Sequence, residues 1–219
     1  SAQANADLEV TAPDKAYQID FGPHFGTGRL SNKARVRHAT GFGLGVDRLW
    51  HFGKTAMGPR IEIANHFINS RAESGSEVKL ASYDHRLAAL GFKVVRSLDG
   101  SAARNVYLSV TGGQTQSKLA TEHSDTGYFQ QARFSNLKGD YAAGELGGHI
   151  PIQDTLGVNI AMLSAIYRTN QASAKGQFET DQVVGGQLQL TQGELEDSAL
   201  DDRIVAKTFA MKFAISYGF

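Results

Sequence analysis

From Val205 to Phe219, bulky apolar side chains recur on alternate positions: Val205, Phe209, Met211, Phe213, Ile215, Tyr217 and Phe219, broken only by Lys207. The residues between them are small or weakly polar: Ala206, Thr208, Ala210, Lys212, Ala214, Ser216 and Gly218. A period of two is the signature of a strand with two different faces. In a soluble sheet the bulky face would pack on a second layer. The alternative is a closed barrel, with the small face crowded inside and the bulky face turned to lipid. One strand does not separate the two, so the remaining segments decide.

No stretch approaches 18 consecutive apolar residues, and mean hydropathy is -0.28, so a transmembrane helix is excluded. Lys and Arg number 22 and Asp and Glu 22, which leaves no global basic field for nucleic acid. With 24 Gly, 4 Pro and strand patterns throughout, the expectation is one all-β domain over 1–219. The chain has no cysteine, so disulfides and thiolate metal sites are out. The first residues, SAQANADLEV, lack the basic and apolar regions of a signal peptide. They read as a flexible polar stub over 1–15, followed by the barrel over 16–219.

Eight segments alternate. The first sets Tyr17, Ile19, Phe21 and Phe25 against Asp20, Gly22, His24 and Gly26. The second sets Phe42, Leu44, Val46, Trp50 and Phe52 against Gly41, Gly43, Gly45, Asp47 and His51. The third opposes Ile61, Ile63 and Phe67 to Glu62, Ala64 and His66. The fourth, about Leu80 to Val95, is ambiguous in register; the choice with Ala88, Leu90, Phe92 and Val94 outward is taken because it turns Lys93 inward. The fifth opposes Val106, Leu108 and Val110 to Tyr107, Ser109 and Thr111, and the sixth Ala142, Leu146 and Ile150 to Tyr141, Glu145 and His149. The seventh opposes Leu156, Val158, Ile160 and Met162 to Gly157, Asn159, Ala161 and Ala165; the C-terminal segment is the eighth.

Connections alternate between short (GKTAMGP, SLDGSAAR, PIQDT) and long: Thr27–Thr40, Ser70–Lys79, Thr115–Arg133 and Thr169–Asp202. Within the last, QVVGGQLQL reads as a hairpin extending the wall; if it crosses the membrane instead, the count rises to ten strands. Aromatic pairs recur eight residues apart: Tyr17 and Phe25, Phe42 and Trp50, Phe209 and Tyr217. Eight residues tilted by roughly 40° span about 20 Å of membrane normal, close to the apolar band of a barrel. One girdle would hold Tyr17, Trp50, Phe52, Phe92, Tyr217 and Phe219, the other Phe25, Phe42, Phe67 and Phe209.

On these features the chain resembles the small eight-stranded outer-membrane β-barrels of Gram-negative bacteria, the OmpA/OmpX type, from Tyr17 to Phe219. The resemblance implies an antiparallel up-and-down transmembrane barrel with short periplasmic turns, long extracellular loops and both termini periplasmic. The ending FAISYGF, with Tyr217 and Phe219 third-last and last, looks like the C-terminal signal read by the barrel-assembly machinery. The expected state is a monomer among outer-membrane lipids and lipopolysaccharide.

The inward list is polar. Asp20, Asp47, Glu62, His66, Lys93, Glu145, His149 and Lys212 are expected to form a salt-bridged plug, since an eight-stranded barrel is just wide enough for side chains to fill. The plug is expected to centre on Glu62, Glu145, Lys93 and Lys212. An ion path or narrow channel is the rival reading. Lipid-modifying enzymes exist among small barrels, but their chemistry needs His, Ser and a carboxylate at the outer rim. His123 and Ser124 are adjacent and diverge, while Ser82 and His85 lie on opposite faces, so no catalysis, metal or cofactor is expected. The first long loop carries Arg29, Lys33, Arg35 and Arg37 without an acid, and 171–202 carries seven acids against Lys175. The basic loop is a candidate for lipopolysaccharide phosphates, unless it pairs with the acidic one.

Overall fold

Among the described residues, hydrogen-bonded ladders join eleven strand segments: β1 (Tyr17–Leu30), β2 (Arg35–Arg48), β3 (Trp50–Phe52), β4 (Thr55–Arg71), β5 (Leu80–Ser97), β6 (Asn105–Asp125), β7 (Tyr128–Pro151), β8 (Leu156–Asn170), β9 (Lys175–Val184), β10 (Gln187–Leu195) and β11 (Ile204–Gly218). The computed structural model describes residues 17–30, 35–71, 80–98, 105–125, 128–170, 175–184, 187–195 and 204–219; the stub at 1–15 lies outside them. β1 pairs with β2, then β4, β5, β6, β7, β8 and β11 follow in turn, and β11 returns to β1. All these pairs are antiparallel, so the wall is a closed eight-stranded up-and-down barrel. The seam closes where the amide of Tyr17 donates to the Phe219 carbonyl at 3.0 Å and that of Phe219 donates back at 3.0 Å.

β7 pairs with β9 through Tyr128–Ser135 and with β8 through Lys138–Pro151, so β9 continues the track of β8. β10 pairs with β9 and continues the track of β11. Thr169 pairs directly with Ile204, so the hairpin adds height to the wall and not circumference. The ten-strand alternative is thereby removed.

The expected long connections need correction. β1 runs to Leu30 and β2 begins at Arg35, and the stretch 115–133 is largely strand, a β6–β7 hairpin that reaches Asp125 and Tyr128. Above the apolar band neither face must be greasy, so outward Gln114, Gln116 and Lys118 hide the continuing ladder from a reading based on hydropathy. At the other end the connections are short, and Gly53 turns β3 into β4 at φ 60°, a conformation that favours glycine.

The pleat sorts side chains as an inverted protein. Ile61, Ile63, Leu90, Leu108, Val110, Leu146 and Ile215 face out, Leu90 being 68% exposed. An apolar belt of this extent is at home only in hydrocarbon. β5 adopts the register with Leu90 and Phe92 out and Lys93 buried. All ten girdle residues face outward, from Tyr17, Phe25 and Phe42 to Trp50, Phe52, Phe67, Phe92, Phe209, Tyr217 and Phe219. At the short-turn rim the Tyr17 and Phe219 rings stack at 5.7 Å, with Tyr217 6.0 Å from Phe219. His51 departs from its expected inward position: β2 breaks at Leu49, and His51 lies exposed in β3 beside the turn. Inside, Ile68, Leu119 and Leu137 pack with Ala39, Phe134 and Ala206 toward the long-loop end.

Candidate functional site

Two neighbouring register rows build the charged part of the lumen. Asp47 on β2 lies directly across from Arg60 on β4. In the next inward row Asp20 of β1 faces Gly45, and Gly45 faces Glu62. Gly45 supplies no side chain, and the Arg60 guanidinium lies in the space a Cβ there would need. From that place Arg60 reaches two strands at once. Its Nη1 donates to Asp20 Oδ2 at 2.5 Å and to Asp47 Oδ2 at 2.9 Å, and its Nη2 donates to Asp20 Oδ1 at 2.9 Å. Its Nε lies 3.6 Å from Glu62 Oε2, an ionic contact too long for a hydrogen bond.

Two lysines extend the network. Lys93 of β5 donates to Asp47 Oδ2 at 2.8 Å and to Gln18 Oε1 at 3.1 Å, and its Nζ stands 4.6 Å from the centre of the Tyr107 ring. Lys212 of β11 donates to Asp20 Oδ1 at 3.1 Å and to Glu145 Oε2 at 3.0 Å. The Tyr107 hydroxyl donates to the other Glu145 oxygen at 2.6 Å. Three cations and four carboxylates thus tie together β1, β2, β4, β5, β7 and β11. Each of them is at most 4% exposed. Such charges stay buried only because they are paired.

A second row climbs from this network. Lys212 pairs in register with His24, His24 with Gly41, Gly41 with His66, His66 with His85 and His85 with Ser117. The His24 ring fills the space above Gly41, and its centroid lies 4.2 Å from that of His66. His66 Nδ1 is hydrogen-bonded to the Tyr167 hydroxyl, and His85 Nδ1 to Ser117 Oγ at 2.6 Å. The Tyr83 and Tyr167 rings both stack against that of His85, at 5.7 and 4.7 Å. His66 Nε2, His85 Nε2, Tyr141 Oη and Thr115 Oγ1 have no hydrogen-bond partner among the described residues. At the short-turn end His149 Nδ1 meets Asn159 Oδ1 at 2.8 Å and Ser216 Oγ at 3.2 Å, apart from the network it was grouped with in sequence.

The structure brings Asp20, Asp47, Glu62, Lys93, Glu145 and Lys212 together and places His66 in the layer above. The centre is not the Glu62–Glu145–Lys93–Lys212 set that the sequence suggested. It is Arg60 between Asp20 and Asp47, with Glu62 at the margin. Arg60 was passed over although it shares the parity of Glu62 and His66, because it follows Pro59 at a presumed turn. Tyr107 and Tyr141 face inward as the alternation placed them, though neither was counted in the plug; Tyr83, Tyr167 and His85 were missed, and each has inward parity in its strand. Among the described residues no group of His, Asp and Glu suits a metal ion. His123 and Ser124 are consecutive in β6, and their side chains are outside the described ones.

At the opposite rim a third row emerges. Lys207 pairs with Arg29, Arg29 with Arg35 and Arg35 with Arg71, four cations on the successive strands β11, β1, β2 and β4. Arg29 and Lys207 are exposed, and no carboxylate lies within ion-pair reach of either among the described residues. Lys33 falls outside the described residues, as do the side chains of Arg35 and Arg37, and so do Glu196, Asp197, Asp201 and Asp202 of the acidic stretch.

No family model and no curated protein matches the chain. Solved structures do. The outer membrane protease OmpT from Escherichia coli is similar over 93% of this chain and 96% of its own, at 10% identity and a TM-score of 0.50. OprG from Pseudomonas aeruginosa is similar over 93% and 95%, at 15% identity and a TM-score of 0.47. A major outer membrane protein from Thermus thermophilus is similar over 93% and 100%, at 10% identity and a TM-score of 0.48. At such identities the likeness is one of fold: this chain has the fold of an outer-membrane β-barrel.

Proposed function

We propose that this chain is an integral, monomeric protein of the bacterial outer membrane that acts at the cell surface through its long-loop rim, with its termini periplasmic and its lumen plugged. The row Lys207–Arg29–Arg35–Arg71 carries the reading. Like charges set directly opposite on neighbouring strands are destabilising unless an anion meets them. A row of cations at the edge of an apolar belt meets lipid headgroups, and arginine binds phosphate through parallel hydrogen bonds. Lipopolysaccharide phosphates are therefore the ligand chemistry. Fluorescent lipopolysaccharide should bind the detergent-solubilised protein and bind Arg29→Ala with Lys207→Ala more weakly at low salt. Equal affinity in that double variant rejects the reading.

The plug is inferred from the charge network, which spans the lumen with side chains rather than lining it. The barrel-assembly machinery is taken to engage β11 through Tyr217 and Phe219. A non-enzymatic role is favoured by the His85–Ser117 pair: it has the hydrogen bond of a nucleophile and base, but Ser117 is wholly buried. A narrow channel is the second reading, supported by the orphaned polar atoms of His66, His85, Tyr141 and Thr115, which call for internal water. Single-channel recording separates the two.

A further inference from the structure

At the short-turn rim one arginine stands in the aromatic girdle itself. Arg48 shares the outward parity of Val46 and Trp50 and is exposed on the lipid-facing wall. Its guanidinium carbon lies 5.5 Å from the Tyr17 ring centre and 5.4 Å from the Trp50 ring centre. Tyr17 is its cross-strand partner on β1. No carboxylate lies within ion-pair reach of Arg48 among the described residues. Exposed Lys54 and Arg96 sit on the same arc, where the Ser97 amide donates to the Lys54 carbonyl at 2.9 Å.

We propose that Arg48, held between Tyr17 and Trp50, is a binding site for the phosphate of an anionic phospholipid in the leaflet at the short-turn rim. An arginine on the lipid face is costly at the bilayer midplane and nearly free at the interface, so its position at the end of β2, between the girdle rings of Tyr17 and Trp50, places it at headgroup depth. Aromatic rings attract a guanidinium through their faces and leave its N–H edges unused. Those edges match two phosphate oxygens, a geometry lysine does not reproduce. The two rings fix the guanidinium before the lipid arrives, which removes part of the ordering entropy of binding. Lys54 and Arg96 favour a headgroup with net negative charge over a zwitterionic one.

Trp50 is the one tryptophan of the chain and reports on the site directly. The folded protein in a maltoside detergent, which has no phosphate, is titrated with short-chain phosphatidylglycerol while Trp50 emission and thermal unfolding are followed. Wild type should show a saturable emission change and a rise in melting temperature. Arg48→Gln should bind about tenfold more weakly or worse, the loss expected for a charge-assisted hydrogen-bonded pair. Arg48→Lys, which keeps the charge and serves if the glutamine variant fails to fold, should lie between. Equal phosphatidylglycerol affinity in wild type and both variants overturns the site. An equal Trp50 response to inorganic phosphate at the same concentration overturns the lipid as its ligand.

Discussion

Arg60 and Asp20 meet as a two-pronged ion pair across the lumen, Nη1 to Oδ2 at 2.5 Å and Nη2 to Oδ1 at 2.9 Å, from residues forty positions apart. Arg60→Met should destabilise the barrel by roughly 3–5 kcal/mol, the range for leaving buried charges without their partner, because both Asp20 and Asp47 lose it. Glu62→Gln should matter far less, since Glu62 touches Arg60 only at 3.6 Å. Urea unfolding in lipid vesicles gives the order; a Glu62 variant as damaging as the Arg60 variant contradicts the arrangement.

Gly45 and Gly43 should part company. A Cβ at Gly45 enters the Arg60 guanidinium, whose tip is pinned by two aspartates and has nowhere to move without breaking those bonds. Gly45→Ala should cost about 1–3 kcal/mol, as overpacking does. At Gly43 the nearest atoms are 3.5 and 3.6 Å away, ordinary contacts, so Gly43→Ala should stay within about 0.5 kcal/mol of wild type. The same unfolding assay measures both.

Lumen closure has an electrical readout. In planar bilayers wild type should show little or no steady conductance, and Lys93→Ala with Lys212→Ala, which removes two of the three cations, should raise it. Large, stable single-channel steps in wild type would remove the plug and favour the channel.

The long-loop rim has two competing partners, lipid phosphate and the acidic stretch beside it. If phosphate dominates, Arg35→Ala with Arg37→Ala weakens lipopolysaccharide binding in a salt-dependent way, and neutralising Glu194, Glu196 and Asp197 leaves it intact or stronger. If cross-loop pairing dominates, the acidic substitutions lower the melting temperature instead.

The β9–β10 hairpin should be dispensable for closure. β8 and β11 pair directly from Thr169–Ile204 to Leu156–Tyr217, so replacing 172–202 with a short Gly/Ser linker should leave a barrel that still shifts in gel on boiling. Loss of that shift would mean that the hairpin holds the wall.

Periodicity revealed the wall and its inside, and it did so where lipid enforces contrast. In β5 the sequence leaves the register ambiguous, and the choice that turns Lys93 inward and Leu90 and Phe92 outward is the one the structure has. The same rule fails beyond the bilayer, where Gln114, Gln116 and Lys118 face out from a continuous strand. Within the lumen, sequence parity gave Asp20, Asp47, Lys93 and Lys212 as inward, but which charges meet depends on stagger between strands. Gly45 opposite Glu62 opens a diagonal route for Arg60 to Asp20, and no single strand records that route. His51 was misplaced for a different reason: parity was carried through the break at Leu49 into β3, whose three residues are all exposed beside the turn.

Along the wall, strands that follow one another in sequence form as hairpins. The β1–β11 seam instead joins positions such as Asp20 and Lys212, separated by 192 residues. Bringing such distant segments together is the slow, entropy-limited step. Lys212 reaches Asp20 across this seam, whereas Arg60 and Lys93 reach it from the opposite side of β1. Until the seam zips, the ion pair between Asp20 and Lys212 does not exist, whereas Glu145 already lies on the Lys212 side of the seam, one strand away through β8. The Asp20–Lys212 contact therefore forms only as the barrel closes. It behaves as a latch: substitutions in it speed opening and leave the rate of closing nearly unchanged, so this pair sets the lifetime of the barrel more than the speed at which it forms.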